Sequence, residues 1–173
     1  MLVALAVTAL ALAACGSDSG DGDDGAADSA EECMSSEPNP VEAAGAEQGL
    51  EKLSESQAEA LYGAAGEAPE GFFETTTVYT AGTKRSPIVV SVTALGSEQN
   101  RIDNRAGFSD SLTAQGAEPT EVTIGGAEAT EFQAPGGDGL AIYAYVGCYG
   151  VSLAGPSAED VRGQAESIIG GAA

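Results

Sequence analysis

Few side chains in this sequence are equipped for chemistry. Cysteines stand at positions 15, 33 and 148, and none belongs to a C-x-x-C pair, so no dithiol redox centre is encoded. Tyr143 and Tyr145 alternate along an apolar segment, and Arg101 and Arg105 lie one helical turn apart. Beside an uncovered sheet face, two phenols and two guanidinium groups would make a cleft for a small ligand. In the other arrangement the tyrosines fill the boundary between sheet and helix, with their hydroxyls reaching water. The arginines then balance Glu98 and Asp103 at a solvated surface. The 27 Asp and Glu residues allow a third reading, a carboxylate pair doing acid–base hydrolysis. With that many acids some pair falls close by chance, and enzymes that cleave sugars this way usually stack them on Trp, which this chain lacks. Nucleophile elbows, phosphate-cradling glycine loops and metal-spaced ligand sets are absent from the sequence. The expectation is a protein that is not an enzyme and carries no cofactor and no metal, with a carboxylate-based hydrolase or a ligand-sensing domain as the alternatives.

Composition narrows the partners. Six Lys and Arg against 27 acids give a formal charge of −21, too few bases to cluster along a nucleic-acid backbone. The absence of His excludes imidazole catalysis and His-ligated zinc or haem. At 43% hydrophobic the chain can fold. Once the N-terminal segments are set aside, about 130 residues remain, one domain burying roughly two-thirds of its unfolded surface.

Met1 to Ala14 is an apolar run with one polar residue, Thr8. It is too short for a helix crossing a hydrocarbon core of about 30 Å, and its length suits the h-region of a secretory signal. The run ends in Leu12-Ala13-Ala14-Cys15-Gly16, which resembles the lipobox of bacterial lipoproteins. The Ala- and Gly-rich composition is similar to that of small lipoproteins of the actinobacterial type. The resemblance implies diacylglycerol on the Cys15 sulfur, cleavage before Cys15, and anchorage to the lipid bilayer at the outer face of the cell membrane. Each buried methylene contributes about 0.8 kcal/mol, so two or more acyl chains make attachment effectively permanent. The family pattern opens with Lys or Arg, whereas the first base here is Lys52; a natural start upstream of Met1 is expected to supply it. With Cys15 lipidated, Cys33 and Cys148 remain, and outside the cytoplasm two such residues usually pair. The alternatives are two inert thiols or an intermolecular bond.

Gly16 to Glu32 carries seven acids and no base, a composition that favours a disordered linker. Asp21, Asp23 and Glu32 fall at positions 1, 3 and 12 of an EF-hand frame, but Gly25 and Ala26 at positions 5 and 6 break it. The expected organisation is a signal peptide over 1–14, a lipidated Cys with an acidic tether over 15–40, and an ectodomain over 41–173.

The elements that must position these residues follow from pattern. Leu50, Leu53, Gln57 and Leu61 recur at helical spacing, and Ser54 to Gln57 matches a capping box, placing a short helix around 55–63. Phe72 to Thr80 and Pro87 to Leu95 read as strands, the second with Ile88, Val90, Val92 and Ala94 on one face and Ser91 and Thr93 on the other. Glu98 to Gln115 reads as a helix with Ile102, Phe108 and Leu112 on its apolar side, ended by Gly116. Gly125-Gly126 and Gly147-Cys148 mark hairpins. Across the second, Ile142, Ala144, Val146, Tyr149, Val151 and Leu153 share the core face. Ser157 caps a final helix striped by Val161, Ala165 and Ile168, which Gly170 and Gly171 are expected to stop. The predicted class is α+β, a single antiparallel sheet of about six strands with two or three helices on one face.

The segments Ile124 to Ala129, Gly147 to Leu153 and Ala165 to Ile168 together resemble a module of bacterial ectodomains: an I-G-G-x-x-A hairpin, a G-x-Y-x-V-x-L strand and a helix ending near A-x-S-I. The resemblance implies a fold type and an extracytoplasmic setting, and it carries no chemistry. The protein is therefore expected to be a lipid-anchored ectodomain binding an unknown protein or small molecule at the cell surface.

Overall fold

The computed structural model describes residues 25–46, 49–63, 71–83 and 86–172. The apolar run, the lipobox with Cys15 and the first part of the acidic tether lie outside the described residues. The strands are β1 (Leu50–Lys52), β2 (Thr76–Thr83), β3 (Ser86–Ala94), β4 (Glu118–Ile124), β5 (Ala127–Gln133), β6 (Leu140–Val146) and β7 (Tyr149–Gly155). They form one antiparallel sheet in the order β1-β2-β3-β7-β6-β5-β4. The helices are α1 (Gly25–Ser36), α2 (Pro40–Ala43), α3 (Glu55–Gly63), α4 (Phe72–Thr75), α5 (Glu98–Ala114) and α6 (Ala158–Ala172). The class is α+β on a single antiparallel sheet, with seven strands and more helices than the pattern suggested.

Alternation along each strand divides the side chains between two cores. One face carries Ile88, Val90, Val92, Ile142, Val151 and Leu153, covered by Val161, Ala165, Ile168 and Ile169 of α6 and by Ala30, Cys33 and Val41 from α1 and α2. On the other face Phe108 and Leu112 of α5 cover Phe132, Ala141, Tyr143 and Ala154. Beside them Ala58 and Tyr62 of α3 cover Val78 and Val89, with Phe72 and Phe73 of α4 packed against that cluster. Helices on both faces correct the one-sided arrangement. A sheet flanked by strands with apolar residues at both parities has two faces to hide.

The capping signals act as expected. Ser54 N–H donates to Gln57 Oε1 at 2.8 Å and Gln57 N–H to Ser54 Oγ at 3.4 Å, opening α3. Ser157 Oγ accepts from Asp160 N–H at 3.3 Å, opening α6. Both hairpin turns take positive φ at glycine, 59° and 93° at Gly125 and Gly126 and 59° at Gly147.

Several expectations are corrected. Leu50 belongs to β1, and Phe72 to Thr75 form a helical turn before β2. Ile102 is 54% exposed, because it lies six residues before Phe108, about 120° round the helix from it. The acidic stretch is not a tether up to Pro40: α1 begins at Gly25, and Ala30, Cys33 and Pro40 are buried. Ala and Glu are strong helix formers, and burying Ala30 and Cys33 three residues apart gives that helix one inward face. Nor do Gly170 and Gly171 stop α6, which runs to Ala172. They are contact points: a Cβ on Gly171 would stand 2.9 Å from Ala44 Cβ, and a Cβ on Gly125 would overlap Gly170 Cα. The absent side chains let α6 lie directly on α2 and on the β4–β5 turn.

Gly125→Ala should therefore destabilise the fold by about 1–3 kcal/mol, because the clash is with backbone and not with a flexible side chain. Urea denaturation reads this; an unchanged midpoint would mean that α6 and the turn do not touch.

Candidate functional site

The three sequence-selected groups fall at two places in the fold. The first is the disulfide. Cys33 on the inner face of α1 is joined to Cys148 in the β6–β7 turn, with Cα atoms 5.8 Å apart and a sequence separation of 115. Glu37, just past α1, reinforces the junction. Its Oε2 accepts from Cys148 N–H at 3.0 Å, and its carbonyl accepts from the Tyr149 hydroxyl at 2.9 Å. A Cβ on Gly147 would overlap that carboxylate, so the turn glycine serves both its own positive φ and the approach of Glu37. Burial, and then the carboxylates of Glu37 and Glu42, push the Tyr149 phenol up. A groove of about 230 Å³ runs alongside, lined by the disulfide, Glu32, Ser36, Glu37, Gly96 and Ser97.

The second place is the contact between α5 and the sheet. Ser97 caps α5 by accepting from Asn100 N–H at 3.2 Å, and Asn100 Nδ2 donates to Leu95 O at 2.9 Å, which fixes how the helix leaves β3. Tyr143 is 3% exposed, its ring centroid 5.1 Å from Phe108 and 5.3 Å from Tyr145. Its hydroxyl donates to Asn104 Oδ1 at 2.7 Å. Burial, with Tyr145 adjacent, holds this phenol far above the ordinary tyrosine range. Tyr145 is half-buried, and its hydroxyl donates to the Arg101 carbonyl; desolvation raises it too. The face on which a Tyr–Arg cleft depended is thus covered by α5.

The arginines part company. Arg105 Nη2 reaches both carboxylate oxygens of Glu121 and Thr130 Oγ1, each at 2.9 Å, tying α5 to β4 and β5. Arg101 lies 6.0 Å above the Tyr145 ring, and its Nε is buried with no hydrogen-bond partner. Neither takes the expected acids as partners; Asp103 instead accepts from Gln99 Nε2 at 2.8 Å. On a helix whose residues 101, 104, 105 and 108 turn to the sheet, Asp103 points to the opposite side.

Sequence reasoning missed how the hydroxyls line up. Pairing registers place Ser91, Ser152, Tyr143 and Thr130 in one row across β3, β7, β6 and β5, under the helices of the second face. A neighbouring row holds Thr76, Thr93, Gly150 and Tyr145. Tyr62 Oη and Ser91 Oγ are 2.6 Å apart, and Thr76 and Thr93 hydroxyls 3.0 Å apart. The signal was the polar parity of Ser91 and Thr93 on β3, but the row exists only once β3 is set beside β7.

Two predictions arise from these sites. Reducing the disulfide with a dithiol should free α1, whose burial rests on Ala30 and Cys33; hydrogen exchange should quicken there while β3 and β7 stay protected. Opening a 115-residue loop should also cost about 4–5 kcal/mol in urea. Unchanged protection in α1 would show that packing alone holds it. At high pH, burial pushes Tyr62 up to about 12 against the hydrogen bond with Ser91 that lowers it. The folded state then keeps a proton the unfolded chain releases near pH 10, so this contribution is intact below pH 10 and lost as pH rises toward 12. Tyr62→Phe should flatten that alkaline fall in stability; an equal fall in the variant would exclude Tyr62 as its source.

Compared with known proteins, the chain matches no family model, no curated protein and no solved structure.

Proposed function

We propose that this chain is a lipoprotein ectodomain, anchored through acyl chains on Cys15 at the outer face of the cell membrane, with a non-enzymatic binding role. The observation that carries the reading is the distribution of the cysteines. Two of the three are joined to each other, a bond that persists in oxidising compartments. The third stands in Leu12-Ala13-Ala14-Cys15-Gly16, after an apolar run of signal-peptide length.

The start of α1 at Gly25 leaves nine residues of sequence between Cys15 and the first described helix. Such a spacer holds the domain close above the bilayer, where like charge on an anionic surface keeps it from lying flat. The binding part is supported by a sheet covered on both faces; among the described residues the buried polar ones are all hydroxyls, Thr76, Ser91, Thr130 and Ser152. A sheet closed over on both faces leaves recognition of a partner to the outer surface of the domain.

The intact mass of protein purified from the membrane fraction should correspond to a chain beginning at Cys15 with added lipid. Cys15→Ser should release the domain from the membrane with its disulfide intact. An unmodified Cys15 thiol on membrane-bound protein, or a Cys15→Ser protein that stays bound, would overturn the anchor.

A further inference from the structure

The hydroxyl rows are not fully closed over. Between α4 and α5 lies a slot of about 20 Å³, with Ser91, Thr93 and Ser152 on its floor, Asn104 and Tyr143 on one wall, and the rings of Phe72 and Phe108 at its sides. Gly150 keeps it open: a Cβ there would stand 2.6 Å from the Tyr143 hydroxyl oxygen and 3.0 Å from Leu95 Cδ1. A volume of this size holds one water-sized oxygen, for which about 10–15 Å³ and two to four polar partners suffice.

The lining chooses the chemistry of the occupant. Every polar group in it is neutral, so a charged ligand would be buried without a counter-ion, which is costly. The Tyr143 hydroxyl already donates to Asn104 Oδ1, so the phenol offers a lone pair while the other end of the Asn104 amide offers a donor. Ser91 and Thr93 each share one hydrogen bond with a neighbouring hydroxyl, Tyr62 and Thr76. Ser152 brings both a donor and an acceptor. A group that donates and accepts at once satisfies such a set; a carboxylate or an ammonium satisfies half of it.

We propose that this slot is a binding site for one uncharged hydroxyl oxygen, supplied by an ordered water or by the hydroxyl of a small organic ligand that replaces it. The site joins α5 to the two central strands, and it stands independently of how the chain is anchored.

Oxygen-17 magnetic relaxation dispersion counts long-lived internal waters, and titration with ethylene glycol probes the organic source. The wild-type chain should hold one long-lived water more than Ser152→Val, whose methyl groups fill the slot with hydrocarbon. A saturable shift of the Asn104 side-chain amide with ethylene glycol, absent in Ser152→Val, would assign the site to an organic hydroxyl. The water difference without that shift would assign it to solvent. Equal water counts with no saturable shift would overturn the proposal. Should Ser152→Val fail to fold, a high-resolution crystal structure of the wild-type chain decides it: an ordered oxygen bonded to Ser152 and Asn104 is expected, and a dry slot refutes the site.

Discussion

The pairing of β3 with β7 is the constraint on which the rest depends. Without it the chain is two blocks, β1-β2-β3 and β7-β6-β5-β4, each held by hairpins and local connections. Six residue pairs from Val89↔Ala154 to Ala94↔Tyr149 join them, and the line continues past the strand where Leu95 N–H donates to Cys148 O at 3.1 Å. Val90, Val92, Val151 and Leu153 meet there with at most 1% exposure, so the junction lies in the driest part of the molecule. A slip of one residue would set Val90 and Val92 on the face opposite to Val151 and Leu153 and bring Ser91 and Thr93 to the α6 side. The same register puts Cys148 within reach of Cys33, so the disulfide depends on the junction as well as strengthening it.

What could be read from the sequence was local. Turn glycines at 125, 126 and 147 and the caps at Ser54 and Ser157 each act through a few neighbouring residues, and the corresponding elements stand where pattern put them. The disulfide followed from a count and a compartment, without geometry. Features set by distant parts of the chain were missed. α1 reads as an acidic linker because the buried side chains described on it are Ala30 and Cys33, and it gains a reason to order only when Cys148 is brought to it. β1 is three residues long, too short for alternation to show, and exists as a partner of β2. Ile102 was misplaced because spacing was judged by hydrophobicity, whereas Asn104 and Arg105 are what α5 turns to the sheet. The slot needed two registers at once.

Bases are scarce in this molecule, and among the described residues two of them fasten helices to the same edge block. Arg105 ties α5 to Glu121 of β4, and Arg162 ties α6 to Glu131 of β5 through paired contacts of 2.8 and 2.7 Å. The Arg105 pair is 38% and 68% exposed, so screening limits it to well under about 1 kcal/mol. Glu131 is only 13% exposed and is held in a two-pronged geometry, the kind that retains more of its attraction. Electrostatics therefore orient the helices on β4 and β5, while apolar burial on β3, β6 and β7 supplies most of the attraction.

That balance makes the hydroxyl rows informative. They run through the two central strands, where a Val or Ile would contribute about 1.5–3 kcal/mol by burial, against roughly 1 kcal/mol net for a satisfied hydrogen bond. Stability alone would favour hydrocarbon at Ser91, Thr93 and Ser152. The rows run alongside both the Phe108 cluster under α5 and the Tyr62 cluster under α3 and α4, which meet one step away where Val89 pairs with Ala154. Each cluster contributes one phenol that hydrogen-bonds on this face, Tyr62 to Ser91 and Tyr143 to Asn104. A continuous apolar face would let these helices slide over one another's territory. Hydrogen bonds of fixed length and direction do not, and they hold open between the two clusters a space that hydrocarbon would have filled.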